Sequence, residues 1–230
     1  MNEKTPGSQA GRMHWVIVVG AVVVVVLVAL TATVVIETEG PQPEAAADDA
    51  RAAALASDGA PAMGDPDAPV HIVEFLDPAC ETCALFYPMV KQWIQEAPGK
   101  IRLSVRHVPF HRGAEHAVQV LEASRAQGKY WETLEALLSS QAQWTQNHRV
   151  LQDRVLPAVA GVGLDMDELR AHMNGMEVLV RMERDRKDAL TLEVRATPEY
   201  YVNGRPLPSF GAQQLLDLVR EELAKAEGGR

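Results

Sequence analysis

The chain has 230 residues, 47% hydrophobic and 23% charged, with a net charge of −9. This is a globular balance, enough for a core that folds without disulfide staples. No Lys/Arg-rich block is present, which argues against nucleic acid, whose phosphates need a concentrated basic surface.

In chain order, residues 1–12 form a polar tail carrying Lys4 and Arg12. From Met13 to Ile36 there is no Asp, Glu, Lys or Arg, and the centre is Val-rich. A stretch of that length spans the ~30 Å hydrocarbon layer as a helix, with Trp15 at the interface. Lys4 and Arg12 precede the span and Glu37 and Glu39 follow it, so the positive-inside rule puts the N-terminus in the cytoplasm. The expected arrangement is a single-pass signal anchor in a bacterial cytoplasmic membrane, with the remainder extracytoplasmic (periplasmic). A cleaved signal peptide is the alternative, but the apolar run is long and Leu30-Thr31-Ala32 is a poor cleavage site. Residues 37–63 are rich in Ala and Pro, with six acids against one arginine, and read as an acidic linker.

From residue 64 to about 226 the pattern is that of a domain. Val70 to Leu76 is apolar and β-rich and reads as a central strand. A break at Asp77-Pro78-Ala79 follows, then a helix from Cys80 to Glu96 with Leu85, Phe86, Met89, Val90 and Trp93 inward and Pro88 inside it. Ile101 to Val108 reads as a second strand. Residues 114–194 read as helical almost throughout, with a Met stripe (Met173, Met176, Met182) taken as gap-filling core. After Thr197-Pro198, Tyr200 to Val202 and Arg205 to Leu207 are expected to pair across an Asn203-Gly204 turn. A terminal amphipathic helix carries Leu215, Leu218 and Leu223. The order is β-α-β, a helical insertion, then β-β-α.

The chain has two cysteines, Cys80 and Cys83. A disulfide between them closes almost no loop and adds little stability. A structural zinc site needs four ligands, and no second CxxC is present. The pair therefore reads as redox-active. A helix N-terminus at Cys80 supplies free N–H groups and a partial positive charge, which stabilise a thiolate there. Cys80 is expected to be the nucleophile and Cys83, one turn inward, the resolving thiol. Disulfide exchange between such a pair and a substrate requires no cofactor. Glu81 and Thr82 between them tune the couple, and Glu81 is expected to raise the Cys80 pKa and make the couple less oxidising.

Gly64-Asp65-Pro66-Asp67-Ala68-Pro69-Val70, Val73-Glu74-Phe75 and Cys80-Glu81-Thr82-Cys83 together resemble the opening of the DsbA-like thioredoxin-fold family. Ala196-Thr197-Pro198-Glu199-Tyr200-Tyr201-Val202-Asn203-Gly204 resembles that family's cis-proline strand and hairpin. The resemblance covers about residues 64–224. It implies an α/β thioredoxin fold, a central mixed sheet flanked by helices, with a helical insertion. It also implies dithiol–disulfide exchange on cysteine-containing exported proteins, served by a membrane redox partner. It implies a cis peptide before Pro198, substrate contacts from Thr197, and a buried Glu74 that handles the Cys83 proton or tunes the site. Glu81-Thr82 stands where the best-known oxidases have Pro-His, so the direction of exchange is open among oxidase, reductase and isomerase. A non-catalytic chaperone and a metal carrier using the CxxC are alternatives of other classes. His71, His107, His111, His116, His148 and His172 read as packed or solvated; no metal site is expected.

Overall fold

The structure is a computed structural model, and it describes residues 43–56 and 59–228. The polar tail, the apolar segment 13–36 and the start of the linker lie outside the described residues. Among the described residues no helix is long and apolar enough to cross a membrane. The chain divides into two units at Asp48/Asp49. Of the first unit, the described part is the opening of helix α1 (Pro43–Ala56).

The second unit is built on a five-stranded sheet. Its strands are β1 (Ala62–Gly64), β2 (Val70–Leu76), β3 (Ile101–His107), β6 (Glu199–Val202) and β7 (Arg205–Pro206), ordered β1-β3-β2-β6-β7. β2 runs parallel to β3, with Val70 opposite Ile101, and antiparallel to β6, with Glu74 opposite Tyr200. β2 is thus the central strand. It is an almost unbroken apolar run because both faces of the sheet are covered. Val70, Ile72 and Leu76 enter the larger core, while Val73 and Phe75 enter a smaller one with Ala54, Ala189, Leu192 and Tyr201. By alternation Glu74 falls on the larger-core side.

The sheet begins earlier than residue 64, the boundary read from the sequence. Ala62–Gly64 of the linker pairs antiparallel with β3, and Ala54 is buried. Gly64 allows this approach: it has φ +99°, and a Cβ there would stand 2.4 Å from the Ile101 carbonyl oxygen.

Helix α2 (Glu81–Glu96) follows β2 and buries Cys83, Phe86, Tyr87, Val90 and Ile94, with Pro88 inside it. Leu85, expected inward, is 65% exposed, because it lies on the opposite side from the Phe86–Val90 stripe. The insertion contains α3 (Ala114–Ser124), α4 (Tyr130–Ser139), α5 (Gln141–Trp144), α6 (Gln152–Val159), α7 (Met166–Met173) and α8 (Met176–Thr191). It is not helical throughout. A hairpin of β4 (Thr145–Gln146) and β5 (Arg149–Val150) interrupts it, turning at Asn147-His148 with both φ positive. Two central residues with positive φ make a tight hairpin turn. Strands of two residues are too short to show a period, so the helical reading ran through them. Of the Met stripe, Met173 is buried and Met182 partly so, but Met176 is exposed, as is Val180 on the same helix.

A buried cation joins the insertion to the sheet. Arg106 on β3 is almost wholly enclosed; its Nε donates to Asp185 at 2.6 Å, its Nη2 donates to Asp188, and its Nη1 donates to the Ala54 carbonyl at 3.1 Å. Enclosing a guanidinium is tolerable because its donors find acceptors. Helix α9 (Ala212–Gly228) closes the fold over β2 and β6, burying Leu215, Leu218 and Val219.

Candidate active site

β2 ends at Leu76, and the Asp77-Pro78-Ala79 loop delivers the chain to α2. Cys80 is the N-cap residue, extended at φ −82° and ψ 119°, so the helix begins at Glu81. Asp77 organises the loop. It is fully buried; its Oδ1 accepts the Ala79 N–H at 2.8 Å and its Oδ2 accepts the His111 N–H at 2.7 Å. Gln141 of α5 clamps the other side, its Nε2 donating to the carbonyls of Pro78 and Cys80 at 2.8 and 2.9 Å.

Cys80 and Cys83 are free thiols in this structure. Cys80 is 6% exposed and Cys83 fully buried behind it. The Thr197–Pro198 peptide is cis, and the Cys80 Sγ lies 3.2 Å from the Thr197 carbonyl oxygen. The Cys80 thiol is pulled down to about 5, chiefly by the hydrogen bond from the Cys83 thiol; burial opposes this, and the N–H groups of Cys83 and Thr82 and the Thr197 side chain add to it. Cys83 moves the opposite way: burial raises it, the hydrogen bond to Cys80 raises it further, and the Glu74 charge adds to both. Cys80 is therefore poised as a thiolate at neutral pH while Cys83 keeps its proton.

Glu74 is fully buried. Its Oε1 accepts from the Tyr200 hydroxyl at 3.0 Å, and its Oε2 has no hydrogen-bond partner. Burial pushes its carboxyl up to about 8, against the Tyr200 hydrogen bond. Between pH 4.5 and 8 the folded state thus retains a proton that the unfolded state has released, so stability falls as pH rises across that window. Glu74→Gln removes this dependence. Relative to the parent chain it should gain on the order of 2–4 kcal/mol between pH 5 and pH 8. Urea unfolding of the reduced protein at the two pH values measures this; an equal offset at both would show an ordinary ionised Glu74.

Beside Cys80 a groove of ≈ 230 Å³ runs along the cis-proline segment, lined by Thr82, Thr197, Pro198, Tyr200, Leu207 and Phe210. Phe86 stacks between Tyr200 and Phe210, with centroids at 6.0 and 4.9 Å. Phe210 in this lining is half-exposed. Glu81, the first residue of α2, faces outward with its carboxylate 3.8 Å from His148 Nδ1. The Cys80 thiol lies well below its ordinary value even with Glu81 as its chain neighbour.

Cys80, Cys83, Glu74, Thr82, Thr197 and Pro198 come together in one place, with Glu81 at its rim. Asp77, His111 and Gln141 were not singled out by the sequence as parts of this site. His71, His107 and His172 are apart from it. His71 bonds Ser104 at 2.8 Å, His107 bonds the Tyr130 hydroxyl at 2.9 Å, and His172 lies 3.9 Å from Glu168 on the surface.

A sheet with a reactive cysteine pair at a helix start opposite a cis-proline defines a thioredoxin-type oxidoreductase framework. The thioredoxin family model matches residues 56–219, and the chain belongs to that family. A thioredoxin-like oxidoreductase from Silicibacter pomeroyi DSS-3 is 27% identical, with a TM-score of 0.65 over 75% of this chain and 97% of that one. BdbD from Bacillus subtilis is 24% identical with a TM-score of 0.64, covering 72% and 94%. Wolbachia pipientis alpha-DsbA1 is 20% identical with a TM-score of 0.67, covering 78% and 98%. Among curated proteins, Na(+)/H(+) antiporter NhaA of Herminiimonas arsenicoxydans is 29% identical over 144 residues, 63% of this chain. NhaA 3 of Salinispora tropica is 30% identical over 180 residues, 73% of this chain. The chain spans about a quarter of the length of these curated relatives, 22% and 26%.

Proposed function

We propose that this protein is a membrane-anchored thiol–disulfide oxidoreductase that forms disulfides in exported proteins through Cys80 and Cys83. The observation that carries the reading is the placement of Cys80 Sγ at the start of α2, 3.2 Å from the carbonyl before Pro198, with Cys83 sealed behind it. A substrate laid as an extended strand along Thr197 would bring its sulfur to Cys80 and its side chains to the adjoining groove.

In the oxidising direction a substrate thiolate attacks Sγ of Cys80 in the Cys80–Cys83 disulfide. The S–S bond breaks, and Cys83 leaves as a thiolate and takes up a proton. The protonated carboxyl of Glu74, buried nearby, is suited to supply it. A second substrate thiolate then attacks the substrate sulfur of the mixed disulfide, and Cys80 departs as a stabilised thiolate. The substrate loses two electrons and the protein ends as the dithiol. A membrane redox partner would restore the disulfide. The uncharged segment 13–36, with basic residues before it and acidic ones after it, supports a bacterial inner-membrane anchor with the domain in the periplasm.

Cys83→Ala in the full chain tests substrate and setting together. Without a resolving thiol, mixed disulfides with exported cysteine-containing proteins should accumulate and disappear on adding a reductant. Recovery of cytoplasmic proteins alone, or of none, would overturn the reading.

A further inference from the structure

Three side chains from separate segments meet at the rim of the active site. They are Glu81 at the start of α2, His111 in the loop after β3, and His148 in the β4–β5 turn. One donor atom from each lies within 4.8 Å of the other two. Glu81 Oε1 is 3.8 Å from His148 Nδ1, and the two imidazoles face each other with centroids 6.0 Å apart and planes 29° apart.

The histidines are held rather than splayed. His111 Nδ1 is bonded to Oδ2 of the buried Asp77 at 2.8 Å. With Nδ1–H given to that carboxylate, the lone pair sits on Nε2. Carboxylates hold metal-binding imidazoles in this way, fixing the tautomer and ring orientation. His148 sits in a two-residue turn at φ +56°, after Asn147 at +51°. The segment bearing His111 is tied to that hairpin by the Arg112–Arg149 bridge, where the Val150 N–H donates to the Arg112 carbonyl at 3.0 Å. The loop and the turn are therefore one unit.

We propose that Glu81, His111 and His148 form a divalent transition-metal site, of the zinc class, beside the cysteine pair. Two imidazoles and one carboxylate suit zinc, whereas calcium and magnesium prefer oxygen ligands throughout. Glu81 and His148 have side chains 62% and 77% exposed, so the fourth position faces solvent and is open to water or an exogenous ligand. The site is distinct from one that uses the cysteines as ligands.

The test is calorimetric titration of Zn²⁺ into the full chain carrying Cys80→Ser and Cys83→Ser, which removes every thiol ligand. One ion per chain should bind. His148→Asn and Glu81→Gln, both on exposed side chains, should each weaken binding at least about tenfold, and Asp77→Asn by about 10–100-fold through the misoriented His111. Circular dichroism of the His148 and Glu81 variants should match the parent. Absence of stoichiometric binding in the thiol-free chain, or affinity unchanged by His148→Asn and Glu81→Gln, would overturn the proposal. So would a single Zn²⁺ site that appears only when Cys80 and Cys83 are present.

Discussion

Cys80→Ser should abolish disulfide exchange while leaving the fold in place. Cys80 is the sulfur at the groove, and Cys83 is fully buried behind it, so no other sulfur of the chain's two can meet a substrate there. A serine hydroxyl keeps the N-cap geometry, and it is a better cap than a thiol. Exchange with a dithiol peptide should fall by on the order of 10³-fold or more, as for loss of a nucleophile. Unfolding by urea should show little change in the reduced form. Cys83→Ser should behave differently: the first attack by Cys80 on a substrate disulfide survives, and the product stays trapped as a mixed disulfide. Equal loss in the two variants, with no trapped species in the second, would contradict the assigned roles. Unchanged exchange in Cys80→Ser would leave only a binding function for the groove.

The second large effect is in the pH dependence of Cys80 reactivity. An unperturbed thiol gains thiolate, and hence alkylation rate, as pH rises through ~8.5. With its value near 5, Cys80 should reach half its maximal iodoacetamide rate near pH 5 and be flat above about pH 6.5. The folded value lies below the unfolded one, so the stabilisation of the reduced form is fully present above the unfolded thiol pKa and is lost as pH falls through 5. The dithiol form is thereby favoured at neutral pH, which makes the disulfide the better oxidant. Stopped-flow alkylation, followed by mass spectrometry with a chelator present, reads this directly. A rate still rising between pH 8 and 9 would contradict it. Cys83→Ala should move the midpoint upward, because the Cys83 hydrogen bond is the largest influence holding the thiolate.

Much of the fold could be read from local signals. Val70 to Leu76 carries the almost unbroken apolar run of a strand covered on both faces, and Asn203-Gly204 marks the β6–β7 hairpin, with φ of 49° and 80° in the structure. The cysteine spacing and the break at Asp77-Pro78 marked the helix start. Thr197 and Pro198 had no signal of their own; only the resemblance to a family placed them near Cys80, 117 residues away. Gln141 and His111 had neither. Their contacts to the Cys80 loop span 61 and 34 residues and lie in segments whose patterns say only helix or loop. The β4–β5 hairpin was hidden for a different reason. Two residues per strand cannot show alternation, and the flanking helices dominated the reading. Arg106 shows the limit of polarity as a guide, since a charged residue on an alternating strand reads as solvent-facing until Asp185 and Asp188 are seen against it.

The central claim is that Cys80 and Cys83 exchange a disulfide with a substrate. A single-turnover transfer tests it most directly. The oxidised full chain is mixed with an equimolar reduced peptide bearing two cysteines, quenched with acid, and both products are weighed by intact mass spectrometry. The account predicts that the protein gains two hydrogens, the peptide loses two, and a Cys80–peptide mixed disulfide appears transiently. If both masses stay unchanged while a control dithiol reduces the Cys80–Cys83 bond, the pair is not an exchange centre and the account fails.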